Sequence, residues 1–297
     1  GAGNITGTID GGGIESPAFP DTIDASGSNI DLAIQLSQLG QATLNDGGVI
    51  DLVVDNSPAR VDIVGIGLVR GNPARTNSLA GNAQAANTWL IDGLNTGVVN
   101  GMSFEEFANL IGGAQQDIFT FDGALVSGLI DGGSDTADML TLTGLSGDVV
   151  VEVGSDITGN LNVINVEQVV ANGANNNTLI ADNSNNDWII TGTDVGLLQP
   201  ASGVLPENTL AFTGFANLTG SEGDDTFILD FDDSISGMID GGVGTGLDTL
   251  NLAGLQEDVS VSLDAAVAAD LMVTRIENIN ANGNNNNTLI NDNVEAI

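Results

Sequence analysis

Apolar residues recur along this chain in short clusters, about ten residues apart. Inside the clusters they alternate with polar residues, as in Thr249-Leu250-Asn251-Leu252. This period of two is typical of strands with one buried face. The segments between clusters are rich in Gly, Asn and Asp, which tolerate the positive φ angles of tight turns. The pattern predicts an all-β protein of short strands.

One stretch, residues 29–41, fits a helix as well as a strand. Ile30, Ile34 and Leu39 would form an apolar stripe on a helix, whereas residues 31–36 alternate as a strand would. The sequence leaves both alternatives open for this stretch.

Long stretches of the sequence occur more than once, which predicts an array of repeats. Residues 212–242 (FTGFANLTGSEGDDTFILDFDDSISGMIDGG) match residues 104–133 (FEEFANLIGGAQQDIFTFDGALVSGLIDGG), and residues 166–183 match residues 276–293. The motif x-Gly-x-Ile-Asp-Gly-Gly occurs three times, with its first glycine at Gly7, Gly128 and Gly237.

We divide the chain into three repeat units on this basis. Residues 1–103 form a variant unit with an insertion near residues 15–45, residues 104–211 form the second unit, and residues 212–297 form an incomplete third. The second unit has its own insertion near residues 198–208. Because the chain starts and stops within the pattern, we expect it to be part of a longer array.

Evenly spaced short strands suit two architectures. One is a β-solenoid, in which each coil stacks on the last; the other is a string of β-sandwich domains, which have about the size of this repeat. The Asn runs at residues 175–177 and 284–287 favour the solenoid, because stacked amides hydrogen-bond along the coil axis. We predict a parallel β-solenoid (β-helix) of repeats of about 110 residues, with about 20 residues per coil, and keep tandem β-sandwich domains as the alternative.

Composition restricts the partners. The chain has 40 acidic residues against 4 basic ones, all arginine, and a formal net charge of −36. Nucleic acid is excluded as a partner, because phosphate binding needs a basic patch. No uninterrupted apolar run reaches the roughly 18 residues of a membrane span. The charge favours solubility and attracts cations.

The turn Gly220-Ser221-Glu222-Gly223-Asp224-Asp225-Thr226-Phe227 resembles the calcium-binding nonapeptide of hemolysin-type (RTX) proteins. Looser relatives occur at residues 112–119, 132–140 and 241–250. In that family glycine turns expose carbonyls and Asp carboxylates add hard oxygen ligands. The resemblance therefore implies calcium as a cofactor. The metal ligands that it implies are Asp131, Asp138, Glu222, Asp224, Asp225, Asp240 and Asp248.

A second interpretation of these turns needs no metal. RTX nonapeptides run consecutively, so that neighbouring turns share each ion, whereas the turns of this chain are isolated. In this alternative the Gly-Asp turns only reverse the chain, and Asp side chains cap local amides.

The whole chain resembles the large repetitive exoproteins and adhesins of Gram-negative bacteria and cyanobacteria. This group includes filamentous-haemagglutinin-like β-helix proteins and RTX-like repeat adhesins. The pattern that carries the resemblance is FANLTGSEGDDTFIL followed by SGMIDGGVGTGLDTLNLAG, at residues 215–229 and 236–254. It implies an extracellular or cell-surface structural element, whose partners are other copies of itself or the rest of a longer repetitive chain, with a surface glycan or receptor left unidentified.

An enzyme is the more distant alternative, because some carbohydrate-active enzymes are β-helices. The chain has no His, Cys or Lys, so nucleophile–base pairs of the Ser-His or Cys-His kind are impossible. Only a carboxylate pair remains, as in glycoside hydrolysis. Asp224 with Asp225, and Asp232 with Asp233, are the candidates by proximity; like charges on solvated turns explain them more simply.

Aromatic residues recur at matched positions of the repeats, which predicts that they fill the core, with a sugar-binding platform as the alternative. They are Trp89, Trp188, Phe104, Phe107, Phe119, Phe212, Phe215 and Phe227. Three of the four arginines, Arg60, Arg70 and Arg75, cluster in the first unit. We expect either local pairing with Asp or a contact with an acidic neighbouring copy.

These observations predict a structural, non-catalytic part of a secreted or cell-surface filament or adhesin. It would be a stiff acidic rod that stacks end to end, because open solenoid ends are exposed strand edges. A calcium-dependent surface-layer or matrix protein is the alternative.

Overall fold

A computed structural model describes residues 8–10, 22–27, 31, 33–37, 49–53, 62–64, 66–134, 137–154, 161–201, 209–231, 234–263 and 270–290. These residues form 29 short strands, and the all-β prediction is confirmed. Within the same ranges no helix is long and apolar enough to cross a membrane.

The chain divides into two compact units. Unit 1 comprises Gly1–Leu145 and Ser155–Val166, and unit 2 comprises Ser146–Gly154 and Glu167–Ile297. In each unit the strands form two sheets, which we call sheet 1 and sheet 2. The three repeats of the sequence are therefore distributed over two compact units.

The strands of unit 1 lie side by side in the following spatial order. Sheet 1 contains β1 (Thr8–Asp10), β5 (Asp62–Val64), β4 (Val49–Val53), β3 (Ala33–Ser37), β7 (Ser78–Ala80), β11 (Asn109–Gly113), β13 (Leu129–Gly133) and β16 (Leu161–Ile164). Sheet 2 contains β2 (Thr22–Asp24), β6 (Leu68–Arg70), β10 (Met102–Glu105), β9 (Thr96–Val99), β8 (Thr88–Gly93), β12 (Ile118–Phe121) and β14 (Met139–Leu142).

Unit 2 is built in the same way. Sheet 1 contains β15 (Val150–Val153), β18 (Thr178–Ile180), β22 (Asn217–Thr219), β24 (Met238–Asp240), β27 (Leu271–Thr274), β26 (Ser260–Ser262) and β29 (Thr288–Ile290). Sheet 2 contains β17 (Gln168–Ala171), β21 (Leu210–Thr213), β20 (Val195–Pro200), β19 (Asn186–Gly192), β23 (Thr226–Phe231), β25 (Thr249–Leu255) and β28 (Asn278–Ala281).

Within each unit the chain alternates between the two sheets and returns beside its previous strand. Leu110 of β11 pairs in parallel with Ile130 of β13, and Phe119 of β12 pairs in parallel with Leu140 of β14. At these two pairings the coil takes about 20 residues, as predicted, whereas other coils are longer: Leu79 pairs with Leu110 and Val169 pairs with Phe212. Most coils give one strand to each sheet, whereas the consecutive strands β26 and β27 both lie in sheet 1 and pair in parallel. The predicted parallel β-solenoid is confirmed. The antiparallel pairing of a sandwich is confined, among the described strands, to three local excursions.

The antiparallel excursions are three-stranded meanders inserted among the parallel strands. They are β3–β4–β5, β8–β9–β10 and β19–β20–β21. Strand β3 lies inside the insertion predicted near residues 15–45, and β20 contains the first residues of the insertion predicted near residues 198–208. The segment that fitted both a helix and a strand forms β3 where the structure describes it.

The core lies between the two sheets of each unit and contains columns of like side chains. In unit 1 Trp89 stacks on Phe119, with ring centroids 5.4 Å apart and planes at 13°. In unit 2 Trp188 stacks on Phe227 at 5.5 Å and 12°. All eight repeated aromatic residues are at most 1% exposed, so their predicted role in the core is confirmed. Stacking adds about 0.5–1.5 kcal/mol per pair beyond burial.

Candidate functional site

Buried polar side chains lie where the chain turns into a strand. Each sits two residues before a buried apolar residue of that strand, as Asp225 does before Phe227, and therefore faces the same side of the sheet. Eight residues share this position and are at most 5% exposed: Asn77, Asn87, Asp117, Asp138, Asn177, Asn186, Asp225 and Asp248.

In unit 2 three of these residues, Asn186, Asp225 and Asp248, form a ladder that ends on the exposed Glu277, and we call these four residues the unit 2 ladder. Asp225 Oδ1 accepts a hydrogen bond from the backbone N–H of Asn186 at 2.9 Å. Asp248 Oδ1 accepts one from the N–H of Asp225 at 2.9 Å, and Glu277 Oε2 accepts one from the N–H of Asp248 at 2.8 Å. Each carboxylate thus holds the backbone of the neighbouring coil.

Unit 1 contains a shorter ladder of the same design, the unit 1 ladder: Asn87, Asp117 and Asp138. Asp117 Oδ1 accepts from the backbone N–H of Asn87, and Asp138 Oδ1 accepts from the N–H of Asp117, both at 2.6 Å. The same arrangement in both units means that the turns were repeated together with their internal contacts.

Glycine is required beside each ladder because a carbonyl of the neighbouring coil and the ladder carboxylate together occupy the space that a Cβ would need. A Cβ on Gly132 would collide with the carbonyl of Asn165 and with the Asp138 carboxylate. A Cβ on Gly241 would collide in the same way with the carbonyl of Arg275 and with Asp248. One glycine in each turn that resembles an RTX nonapeptide is thus explained by packing against the neighbouring coil and an inward-facing Asp: Gly112, Gly132, Gly220 and Gly241.

Asn residues close the remaining turns through a five-residue spacing. Asn177 Nδ2 donates to the carbonyl of Asn172 at 2.8 Å and to that of Gly214, in the next coil, at 2.8 Å. Asn77 donates equivalently to the carbonyls of Asn72 at 3.0 Å and Glu106 at 2.7 Å. Asn177, in one of the predicted amide ladders, therefore bonds backbone carbonyls and not a stacked Asn side chain, whereas Asn176 Oδ1 accepts a hydrogen bond from Asn217 Nδ2 at 3.0 Å.

Stacked carboxyls without a basic partner are electrostatically unfavourable, and this shows in the unit 2 ladder. Burial, and then the charge of Asp248, raise the pKa of Asp225 to about 7, against the lowering effect of the Asn186 hydrogen bonds. Burial and then neighbouring acids, Glu277 first, also raise the pKa of Asp248. Asp225 Oδ2 is buried and has no hydrogen-bond partner among the described residues. Asp225 can therefore hold a proton near neutral pH.

The seven residues predicted as calcium ligands are distributed among different contacts. Asp138, Asp225 and Asp248 are ladder members. Asp240 pairs with the Arg275 guanidinium through a 2.6 Å Nε–Oδ1 contact and an Nη2–Oδ2 contact. Asp131 Oδ1 accepts from the backbone N–H of Gly133 at 3.1 Å and from Asn165 Nδ2 at 2.8 Å.

The two remaining calcium candidates are exposed at one turn. Asp224 Oδ1 accepts from the backbone N–H of Leu247 at 2.8 Å, and Glu222 is exposed beside it. Among the residues that the structure describes, no three Asp or Glu side chains form a group that could hold a metal ion. Calcium binding stays a prediction. Of the proposed catalytic pairs, Asp224 is exposed while Asp225 is buried, and Asp232 with Asp233 lies outside the described residues.

The arginines that the structure describes in ion pairs are bound within their own unit. Arg70 Nε contacts Glu105 Oε2 at 2.5 Å, and its Nη1 lies 3.7 Å from Asp24 Oδ2. Arg70 thus follows the expectation of local pairing. Arg60 lies outside the described residues.

Comparison of the chain with protein-family models, with characterised proteins and with solved structures found no match. The resemblance to repetitive exoproteins and adhesins therefore stays a prediction.

The inward orientation of the ladder residues and the Asn spacing were not predicted, although both were readable from the sequence. The alternation that places Phe227 inside also places Asp225 inside. An Asn pair five residues apart recurs before Ser-Leu or Thr-Leu at residues 72–79, 172–179 and 282–289.

Proposed function

We propose that this chain is a structural, non-catalytic part of a secreted or cell-surface filament or adhesin. The observation that carries the proposal is the pair of ladders, in which the buried carboxylates hold the backbone amides of neighbouring coils. In a chain without His, Cys or Lys, carboxylates are the main groups able to do acid–base chemistry. The buried carboxylates of the ladders, Asp117, Asp138, Asp225 and Asp248, hold the coil stack together.

Accessibility supports the same proposal. Burial raises the pKa of Asp225 to about 7, as a general acid or base would require. Its side chain is fully buried between coils, so a substrate cannot reach it without opening the solenoid. We assign the raised pKa to burial within a structural ladder.

The charge of the chain suits an exposed structural element. A net charge of −36 keeps copies apart laterally, since like charges repel. Contacts along the solenoid axis join strand edges and apolar columns instead. We therefore propose that the coil stack is extended along its axis by further repeats of the same kind, with the chain at the cell surface or in the extracellular space.

Electron microscopy of the purified full chain, with and without EDTA, tests this function. We expect stiff particles of uniform width that are unchanged by EDTA. Particles that unfold or disperse on chelation would replace the proposal with a calcium-dependent surface-layer or matrix protein. Flexible beads would contradict the structural role, and turnover of a polysaccharide by the unaltered chain but not by Asp224→Asn would establish an enzyme.

A further inference from the structure

One coil type occurs three times, at residues 68–80, 168–180 and 278–290, which we call the three Asn coils. Each reads Val or Ile, any residue, Gly or Ala, Asn, four residues, Asn, Ser or Thr, Leu. Each provides one strand to each sheet: β6 and β7, β17 and β18, and β28 and β29. Their environments can therefore be compared position by position.

The first Asn coil is covered by the coil that follows it in space. Val69 pairs with Phe104, and Leu79 pairs with Leu110. The backbone N–H of Asn109 donates to the carbonyl of Asn77 at 3.1 Å. The covering segment, residues 104–110, reads Phe-Glu-Glu-Phe-Ala-Asn-Leu.

The second Asn coil is covered in the same way. Val169 pairs with Phe212, and Leu179 pairs with Leu218. The N–H of Asn217 donates to the carbonyl of Asn177 at 3.0 Å. The covering segment, residues 212–218, reads Phe-Thr-Gly-Phe-Ala-Asn-Leu. Two independent instances thus define one rule: an Asn coil is covered by Phe-x-x-Phe-Ala-Asn-Leu, which we call the covering coil.

The third Asn coil has the same inward face but is open on one side. Ile279 pairs with Leu250, and Leu289 pairs with Val261, on the side of the preceding coils. Leu289 is nevertheless 58% exposed, whereas its counterparts Leu79 and Leu179 are fully buried. The difference lies in the missing cover, because the residues themselves are the same.

We propose that the open face of the third Asn coil is a docking surface for a further repeat that begins with a covering coil of sequence Phe-x-x-Phe-Ala-Asn-Leu. This inference rests on the proposed structural function and names the partner of its exposed coil. Docking places one Phe on Ile279 and the Leu on Leu289. It also supplies a backbone carbonyl for Asn287, which at present donates to Asn282 at 2.9 Å as its counterparts donate to Asn72 and Asn172.

A second copy of this chain is not the occupant, because its covering coils are already in use. Phe104, Leu110, Phe212 and Leu218 are at most 1% exposed within their own units. A copy would have to open its own core to offer them. A repeat whose covering coil is not yet packed on an Asn coil can dock without opening a folded core.

The test is to give the full chain the missing repeat. In the extended protein, residues 294–297 are replaced by a second copy of residues 184–263. The matched control carries Phe212→Asn and Phe215→Asn in the added copy only. Hydrogen exchange at the Leu289 amide is measured in the original, extended and control proteins, together with fluorescence of the added tryptophan.

In the extended protein we expect exchange at Leu289 to slow by about 100-fold or more, equivalent to about 2.7 kcal/mol. The original and control proteins should show no such slowing. As a second readout, Leu289→Ala should leave the urea midpoint of the original chain unchanged, but lower that of the extended protein as much as Leu179→Ala does.

Three results would overturn the inference. The first is that the added repeat folds, with a buried tryptophan, while exchange at Leu289 stays fast. The second is that the added repeat remains unfolded. The third is that exchange at Leu289 slows in the original chain as its concentration rises, which would make a second copy the occupant. None of these touches the structural role, which is tested separately by microscopy of the original chain.

Discussion

At the scale of single residues, the unit 2 ladder makes stability depend on pH through Asp225. Its pKa is about 7 in the folded protein against an ordinary 3.8, so the folded state holds a proton that the unfolded state releases above pH 3.8. The contribution of this group is fully present below pH 3.8 and is lost as the pH rises through about 7. The cost is roughly 1.4 kcal/mol for each pH unit in this window.

Asp225→Asn tests this dependence. Asparagine retains an acceptor for the N–H of Asn186 but cannot ionise, and it is the residue found at the matched positions Asn87 and Asn186. We expect the gain in unfolding free energy of the variant over the original chain to be larger at pH 8 than at pH 5. The pH profile of the variant, measured by urea unfolding, should therefore be flatter. Asp224→Asn, at an exposed neighbour, is the control. If the unfolding free energy of Asp225→Asn depends on pH as steeply as that of the original chain, Asp225 is not the source of the pH dependence.

The glycines beside the ladders make a second prediction at this scale. Gly132→Ala places a methyl group against the Asn165 carbonyl and the Asp138 carboxylate, which the surrounding coils can relieve only by shifting. Overpacking of this kind costs about 1–3 kcal/mol or more. Gly147→Ala is the matched control, since a Cβ there meets nothing within 4 Å. Thermal unfolding measures both, and equal melting temperatures would refute the packing explanation of the glycine turns.

At the scale of strands and turns, the same Asn turn can be compared inside and at the open side of unit 2. Asn177 is fully buried; its Nδ2 donates to the carbonyls of Asn172 and Gly214, and its Oδ1 accepts from the N–H of Val149. Asn177→Ala leaves these groups unsatisfied, at about 1–3 kcal/mol each when buried. Asn287→Ala, in the partly exposed third Asn coil, should cost clearly less because water replaces the lost bonds. Urea unfolding measures the loss of unfolding free energy in the two variants. A larger loss in Asn287→Ala than in Asn177→Ala would contradict this role of the buried Asn turns.

Much of this level of structure could be predicted from the sequence. Alternation indicated the strands, and the recurrence of Phe-x-x-Phe-Ala-Asn-Leu and Ile-Asp-Gly-Gly indicated coils that stack in parallel. The meanders around β9 and β20 could not be predicted, because an alternating strand looks the same whichever neighbour it pairs with. The calcium assignment of Asp225 followed from the motif alone; alternation also places this side chain on the inner face, where it holds a backbone amide.

At the scale of the whole molecule, net charge is the dominant electrostatic property. With −36 on the chain, self-repulsion opposes folding and stacking, and salt should relieve it. Raising NaCl from about 0.01 M to about 0.1 M shortens the Debye length from about 30 Å to about 10 Å. We expect the melting temperature to rise over this range and then to level off.

The response of the melting temperature to calcium distinguishes general charge screening from binding at a specific site. If the exposed turn of Glu222 and Asp224 only reverses the chain, CaCl2 should raise the melting temperature no more than NaCl of the same ionic strength does. A bound ion would add a further rise that continues with concentration as RT ln(1 + [L]/Kd). The double variant Glu222→Gln with Asp224→Asn is the control, because it removes two negative charges from this turn and leaves the buried ladder residues in place. We expect the variant and the original chain to respond equally to calcium; a calcium-specific rise that disappears in the variant would instead place an ion at this turn.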